Sequence, residues 1–496
     1  MSLVRRWKPG VPDLVFGVVL VVVLIGGRTG FLNDPGTFWH LRLGREILRG
    51  GAVPRSDMLT YTRDQTPWVD QSWAFDVGLA LVVDHAGWTA VLALTALALA
   101  AIYGSLARGL LRDGFSPVVV VIIALLATGV GAVHFLVRPH LLTLALVLWT
   151  LRACQRQHEG GGWAIAIIPL LMVIWANVHG GFLAGPVVVL SAAIGHAISG
   201  PMDPQRRREL GKFAAVFVLA CLAPLVNPYG IELYRHVGHL LISSGVTDLI
   251  DEYQPIPFGK ANGRVIEWIL LALVAVPSLS ARRIDRYALI HALVWLHLAL
   301  GSIRHAPLFA LAVAPALGQT LEGLPLATRE IGRLGRGWSA WPALVAVTLG
   351  LMVAGGLRYG GFSPAVWPLA ALPVLDRQPA GVRLFHEQDW GGMIEAECHP
   401  ARRAFVDDRF ELFGRQAILD YVDALQGGPA WDVLRDRERI ELVWVRPERG
   451  LARRLATDSD WRRLHGDLVS VLFARNPPAP AIAERKCVPS YLRGIP

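Results

Sequence analysis

The sequence predicts a mainly α fold, a polytopic transmembrane helical bundle followed by a small α/β domain. Three observations carry that expectation. Hydrophobic residues make up 53% of the chain and charged residues 18%, against about 25% charged in a soluble domain. The apolar residues gather into runs near the roughly 20 residues that cross a bilayer. After residue 357 those runs stop, and short β-rich and helical patterns alternate.

Taken in order, about eleven spans are expected, near 12–28, 87–107, 117–135, 140–154, 162–178, 181–199, 212–226, 264–280, 287–302, 305–321 and 338–357. Arg5-Arg6-Trp7-Lys8 precede the first, and no small-residue cleavage site follows it, so the first span is expected to be retained. Several runs are short, and two could be half-spans. The segment 73–86 is apolar, but Asp76 and Asp84 make it a surface helix.

Between the first two spans lies a stretch too polar to cross, 33–73. Asp34-Pro35-Gly36 reads as a turn. An amphipathic helix is expected over 36–48, with Phe38, Leu41, Ile47 and Leu48 on one face and Arg42, Arg45 and Glu46 on others. Trp39 and His40 beside a membrane suit a helix lying flat on it. Asp57, Trp68, Asp70 and Trp73 follow. The stretch reads either as a solvated loop or as an active-site loop that places an acid at the membrane surface.

The net charge is +9. The basic residues sit in short loops between apolar runs, which is the positive-inside pattern and not a nucleic-acid footprint. With the N-terminus in the cytoplasm, the inside loops hold Arg108 and Arg112, Arg152 and Arg156, Arg206 to Arg208, Arg282, Arg283 and Arg286, and Arg329, Arg333 and Arg336. The same alternation puts 29–86, 134–140, 177–181, 227–263, 302–306 and everything after 358 outside. The protein is thus expected in a membrane with its N-terminus cytoplasmic and its C-terminal domain extracytoplasmic. Two domains follow: 1–357, with the external loop 29–86, and 358–496.

This orientation uses only Lys, Arg and hydropathy, yet it gathers the unusual polar groups on one face. Asp34, His40, Asp57, Asp70, Arg138, His140, Asn177, His179, Asp251, Glu252, Arg304 and His305 all fall outside. Each alone has an ordinary structural reading: a snorkelling arginine, an interhelical hydrogen bond, a turn. Together, ionisable groups at membrane depth on one side point to an external, membrane-level site. His196, His291 and His297 lie inside spans or near the inner side and read as structural.

In the tail, prolines 364, 368, 373 and 379 mark a linker, strands are expected at 403–407, 441–445 and 468–473, and helices near 415–426, 429–438 and 449–457. Asp389-Trp390-Gly391-Gly392 and Asp407-Asp408-Arg409 stand out. The Asp pair reads as a strand-end turn or a metal ligand pair. The four cysteines show no metal spacing and imply no disulfide framework; Cys398 and Cys487 could pair if both are extracytoplasmic.

Asp34-Pro35, His40-Leu41-Arg42, Gly44, Gly51, Pro54 and Asp57 in an external loop after the first span resemble the first loop of the GT-C superfamily of membrane glycosyltransferases. The order "WANVHGGF", "NPYG", "DWGG" and "VDDRFELFG" is similar to a group of bacterial polytopic proteins with that architecture and an α/β tail. The resemblance implies a place in a bacterial inner membrane and transfer of a sugar from a polyprenyl-phosphate donor to a glycan, lipid or protein acceptor on the external face, with membrane lipids as surroundings. It leaves room for a divalent metal, but Asp34 is followed by Pro35 and Gly36 where many members carry a second acid.

On that reading Asp34 is the expected base, with Asp57 and Asp70 as reserves. Arg138 and Arg304 would grip the carrier phosphate, and His40, His140, His179 and His305 would bind phosphate or sugar. Two other classes stay open. A lipid or glycan transporter should show paired repeats or charges at mid-span, and the chain shows neither repeat nor many such charges. A non-catalytic membrane scaffold is the other.

Overall fold

The computed structural model describes residues 8–279, 283–324, 339–476 and 487. The basic positions at 5, 6, 282, 329, 333 and 336 lie outside the described residues.

The bundle runs α1 (Val11–Gly30), α2 (Gly36–Gly50), α3 (Trp73–Arg112), α4 (Pro117–Gly131), α5 (His140–His158), α6 (Ile168–Val178), α7 (Ala184–Ile198), α8 (Pro204–Leu222), α9 (Ile231–Gly238), α10 (Ala261–Leu279), α11 (Arg286–Gly301), α12 (Ala306–Ala312), α13 (Ala314–Leu321) and α14 (Trp341–Ala354). Three stretches are long and apolar enough to cross a membrane, Val11–Arg28, Trp73–Arg112 and Gly180–Ile198, and four shorter apolar helices of 10–17 residues accompany them. The chain is a membrane protein, with fewer full-length spans among the described residues than the eleven expected. The causes are local. Residues 305–321 break at Val313 into α12 and α13, α8 opens on Arg206 to Arg208, and α10 carries Arg264 and Glu267 near its start. The long α3 is two helical stretches meeting at Gly87 (φ 74°, ψ 177°), so 73–86 is a helix distinct from the span behind it, as its acids require.

The C-terminal domain holds a four-stranded sheet: β1 (Leu384–His386), β2 (Leu442–Val445), β3 (Trp461–Gly466) and β4 (Val471–Arg475), in the order β1-β2-β4-β3. β1 and β2 are parallel and the other pairs antiparallel. The helices Arg415–Leu425, Ala430–Arg437 and Gly450–Ala456 lie where the sequence patterns place them. Residues 403–407 are not a strand of the sheet; Ala404 instead bridges to Thr60 in the loop after α2. Cys398 and Cys487 are joined by a disulfide.

The apolar cores explain how the two parts meet. One core fills the bundle. Two more lie in the C-terminal domain, and both include residues of α2: Trp39 and Leu43 in one, Phe38 in the other. The α2 helix therefore does not lie bare on a membrane surface. Ten of its fifteen residues are buried, with α3 on one side and the helix Gly391–Cys398 on the other. Even Arg42 is enclosed, paired with Glu46 and donating to the His399 carbonyl at 3.1 Å.

Polar contacts sort the loops into two ends. At the end carrying the C-terminal domain, Trp73 donates to Asn177 (2.8 Å), Arg55 to the Pro228 carbonyl (2.8 Å) and Arg415 to the Gly245 carbonyl (2.7 Å). At the other end, Arg152 pairs with Asp113 (2.6 Å) and Arg286 donates to the Ile198 carbonyl (2.7 Å).

Candidate active site

Arg138 stands at the junction of bundle, loop and C-terminal domain. It comes from the turn before α5, and three acids from three different segments surround it. Its Nε donates to Asp34 Oδ2 at 2.6 Å, and its Nη2 lies 2.5 Å from Asp34 Oδ1 and 2.5 Å from Asp408 Oδ2. Glu252 lies 3.9 Å from Nη1. A paired guanidinium–carboxylate fork of this kind fixes both groups.

Local sequence builds the junction. Asp34 precedes α2 and accepts the Thr37 backbone N–H at 3.0 Å, closing the helix start. The Thr37 hydroxyl sits 3.1 Å from the same carboxylate and 3.0 Å from the Val137 carbonyl, with one proton to share. Gly36 is required for the meeting: a Cβ there would lie 2.8 Å from both Arg138 Nη2 and Asp408 Oδ2. Trp39, on the next turn, donates its Nε1–H to Asp408 Oδ1 at 2.6 Å. Gly392 of the "DWGG" run brings the C-terminal domain against this helix, since a Cβ there would lie 2.4 Å from the Pro35 carbonyl oxygen.

Burial and charge set the protonation of these acids. Burial, with Asp34 and Asp407 nearby, pushes the Asp408 carboxyl up to about 7 despite Arg138. Burial raises Glu252 too, but the Arg304 and Arg138 charges outweigh it and hold the carboxyl near 2. Arg304 lies 3.9 Å from Glu252 and donates to the Tyr253 hydroxyl at 2.7 Å. His140 and His179 sit within electrostatic reach of Arg138, Arg304 and Glu252.

The histidines are held in defined poses. His179 Nδ1 accepts the Gly181 N–H at 3.1 Å and lies 2.7 Å from the Thr143 hydroxyl, which accepts from Trp175. The ring proton of neutral His179 is therefore on Nε2. His140 Nε2 donates to the His134 carbonyl. His40 Nδ1 lies 2.7 Å from Asp76. Burial first, then the Arg138 charge, keeps this imidazole neutral well below the usual range.

Of the residues expected from the sequence, Asp34, His40, Arg138, His140, His179 and Arg304 thus gather at one end of the bundle. Three others lie at the same end but are held by other partners. Asp57 is fully buried; it accepts from the Thr60 hydroxyl (2.6 Å) and backbone N–H (3.1 Å) and pairs with Arg409 at 2.9 Å. Asp70, also fully buried, accepts from Ser72, whose hydroxyl lies 3.4 Å from His40 Nδ1. It stands behind His40, and burial raises its carboxyl to about 6. His305 donates from Nδ1 to the Leu298 carbonyl at 3.2 Å. Two members of the cluster were not among the expected site residues. Asp408 reads in sequence as part of a turn or a metal ligand pair and Glu252 as one of the external polar groups with no role assigned, and only the fold sets them against Arg138.

A divalent metal does not fit this donor set. The Arg138 guanidinium fills the position between Asp34 and Asp408 that an ion would take. Among the described residues, no group of three or more His, Cys, Asp or Glu side chains is placed to hold one.

The fold is similar to that of a solved sugar transferase. One such solved structure is the mycobacterial arabinofuranosyltransferase AftD, seen by single-particle cryo-electron microscopy, with a TM-score of 0.51 and 15% identity. The alignment covers 96% of this chain and 42% of that one, so this chain spans less than half the length of AftD. At this identity the likeness is one of fold. No family model and no curated protein matches the chain.

Proposed function

We propose that the protein is an integral membrane glycosyltransferase that moves a sugar from a polyprenyl-phosphate-linked donor to an acceptor on the extracytoplasmic face, at the Arg138 junction. The first-loop resemblance and the fold likeness support the class. The observation that carries the reading is the meeting of Arg138, Asp34 and Asp408 beside Arg304, because it supplies both halves of the chemistry.

The donor's C–O bond to phosphate breaks as the acceptor oxygen forms its bond to the sugar. The leaving phosphate gains charge, and Arg138 and Arg304 are fixed donors for it. The acceptor hydroxyl gives up its proton to a carboxylate. The base falls to Asp408 rather than Asp34. Both carboxylates are engaged, Asp34 by Arg138 and Thr37 and Asp408 by Arg138 and Trp39, so their proton affinities separate them. Asp408 has the carboxyl whose proton affinity lies near neutrality. No step needs a metal, since arginine supplies the positive charge.

Purified protein given a panel of polyprenyl-phosphate sugars tests this. Wild type should transfer from one of them. Asp408→Asn should bind the same donor and lose about 10²–10⁴ in rate, and Arg304→Ala should weaken donor binding. A wild type that neither binds nor transfers from any donor, or an Asp408→Asn that transfers normally, would remove the reading and leave the scaffold.

A further inference from the structure

A second cavity lies at the opposite end of the bundle, away from the C-terminal domain. Its volume is about 680 Å³, within the roughly 300–1,000 Å³ of ligand pockets. The ends of α3, α5, α11 and α13 wall it together with the basic loop before α11.

The wall has a gradient along each element. On α3 the lining runs from Leu106 and Leu110 to Asp113, and on α5 from Leu148 to Arg152. From α12 to α13 it runs from Leu311 to Gln319. On each, apolar residues lie toward the bundle interior and polar ones toward the loops. Such a chamber suits a molecule with one polar end and one apolar end.

The charges decide the sign of the polar end. The lining acids are already engaged. Asp113 accepts from Arg152 (2.6 Å), Asp285 from the Ala288 N–H (2.8 Å), and Glu159 from Gln155 (2.9 Å). Of the three lining cations, Arg152 is held by Asp113, and the other two pair with no acid among the described residues. Arg283 is exposed and makes no ion pair or hydrogen bond with another described residue, and Arg286 donates only to the Ile198 carbonyl. Inside, Arg152 Nη2 and the Tyr287 hydroxyl are buried without a protein partner. The unmet capacity is therefore of hydrogen-bond donors, two of the arginines among them, which phosphate oxygens satisfy.

We propose that this cavity binds an amphiphile with an anionic phosphate head, its head among Arg152, Arg283 and Arg286 and its chain along Leu106, Leu110 and Leu148. The site is separate from the Arg138 junction and does not depend on transfer activity.

Native mass spectrometry of the full chain in detergent, with phosphatidic acid, phosphatidylcholine or inorganic phosphate added, tests it. Phosphatidic acid should be retained over phosphatidylcholine. The double variant Arg283→Gln, Arg286→Gln should lower that retention about tenfold, as loss of a charge-assisted contact does. Leu151→Trp, which fills the chamber from α5, should lower it without touching a charge. Equal retention of phosphatidylcholine, or retention unchanged in both variants, would overturn the proposal. So would inorganic phosphate binding as tightly as phosphatidic acid, because the apolar wall would then contribute nothing.

Discussion

At the scale of single residues, Asp408 and Asp34 are two carboxylates that touch one arginine in different surroundings. Asp34 is fixed by Thr37 and two bonds from Arg138; Asp408 keeps a proton affinity near 7. If Asp408 is the base, transfer should rise about tenfold per pH unit below 7 and level off above it. In Asp408→Asn the profile should be flat at the residual rate. Stability runs the other way. The folded Asp408 holds a proton that the unfolded chain has released above about pH 4. The folded state therefore binds more protons between pH 4 and 7, and stability falls as pH rises through that window. Asp70, raised to about 6, acts in the same direction. Histidines whose folded pKa burial lowers, such as His40 and His140, act oppositely below about pH 6.5, so the test is a difference: the melting temperature of wild type minus that of Asp408→Asn, both detergent-solubilised, should shrink from pH 5 to pH 8. A difference that stays constant or grows over this range would contradict the protonation assigned to Asp408.

At the scale of elements, α2 and the loop after it join the bundle to the C-terminal domain. Their key is Arg409, which is buried between the rings of Trp68 and Trp39 at 4.7 and 5.6 Å. It binds Asp57 at 2.9 Å and Asp407 through Nε at 2.9 Å, with Glu395 3.8 Å away. Arg409→Met should leave these buried acids without their cation, a loss of about 3–5 kcal/mol, seen as an earlier unfolding transition. Adding Asp57→Asn and Asp407→Asn should recover part of it. The sequence made α2, its amphipathic pattern and its preceding turn legible, because periodicity and turn chemistry are local. It could not show that both faces of α2 would be covered, since a face packed on a domain and a face packed on lipid are equally apolar. Likewise the run 403–407 has strand composition, but its partner is Thr60 and not the sheet. The same limit hid Asp408, which reaches Arg138 across 270 positions of sequence. Gly36→Ala should injure the site without touching a charge, because its methyl group would enter the space where Arg138 and Asp408 meet. Donor binding and transfer should both fall while melting changes little.

At the scale of the whole molecule, the loops assigned to opposite sides by charge alone meet at opposite ends of the fold. Loop 29–86, the turn at Arg138, Asn177, Pro228 and Glu252 converge on the C-terminal domain. The arginine-bearing loops near 113, 152, 198 and 286 converge on the other end. This grouping was legible because loop charge is set by insertion into the membrane, whatever the packing. The disulfide adds an independent argument for which end is outside. Disulfides persist in oxidising compartments and are rare in the cytosol, so Cys398–Cys487 supports an extracytoplasmic domain. A reporter active only in the cytoplasm, fused after Arg475, should therefore be silent, while the same reporter placed between Asp113 and Pro117 should be active. The bridge closes a sequence separation of 89 residues that contains most of the sheet. Replacing both cysteines with serine should cost about 2–5 kcal/mol. It should also loosen the face that presents Asp408 to Arg138, so transfer should fall together with stability. If the cytoplasmic reporter after Arg475 were active, the sugar site would face the cytoplasm and the extracytoplasmic reaction would be excluded, whatever the chemistry at Arg138.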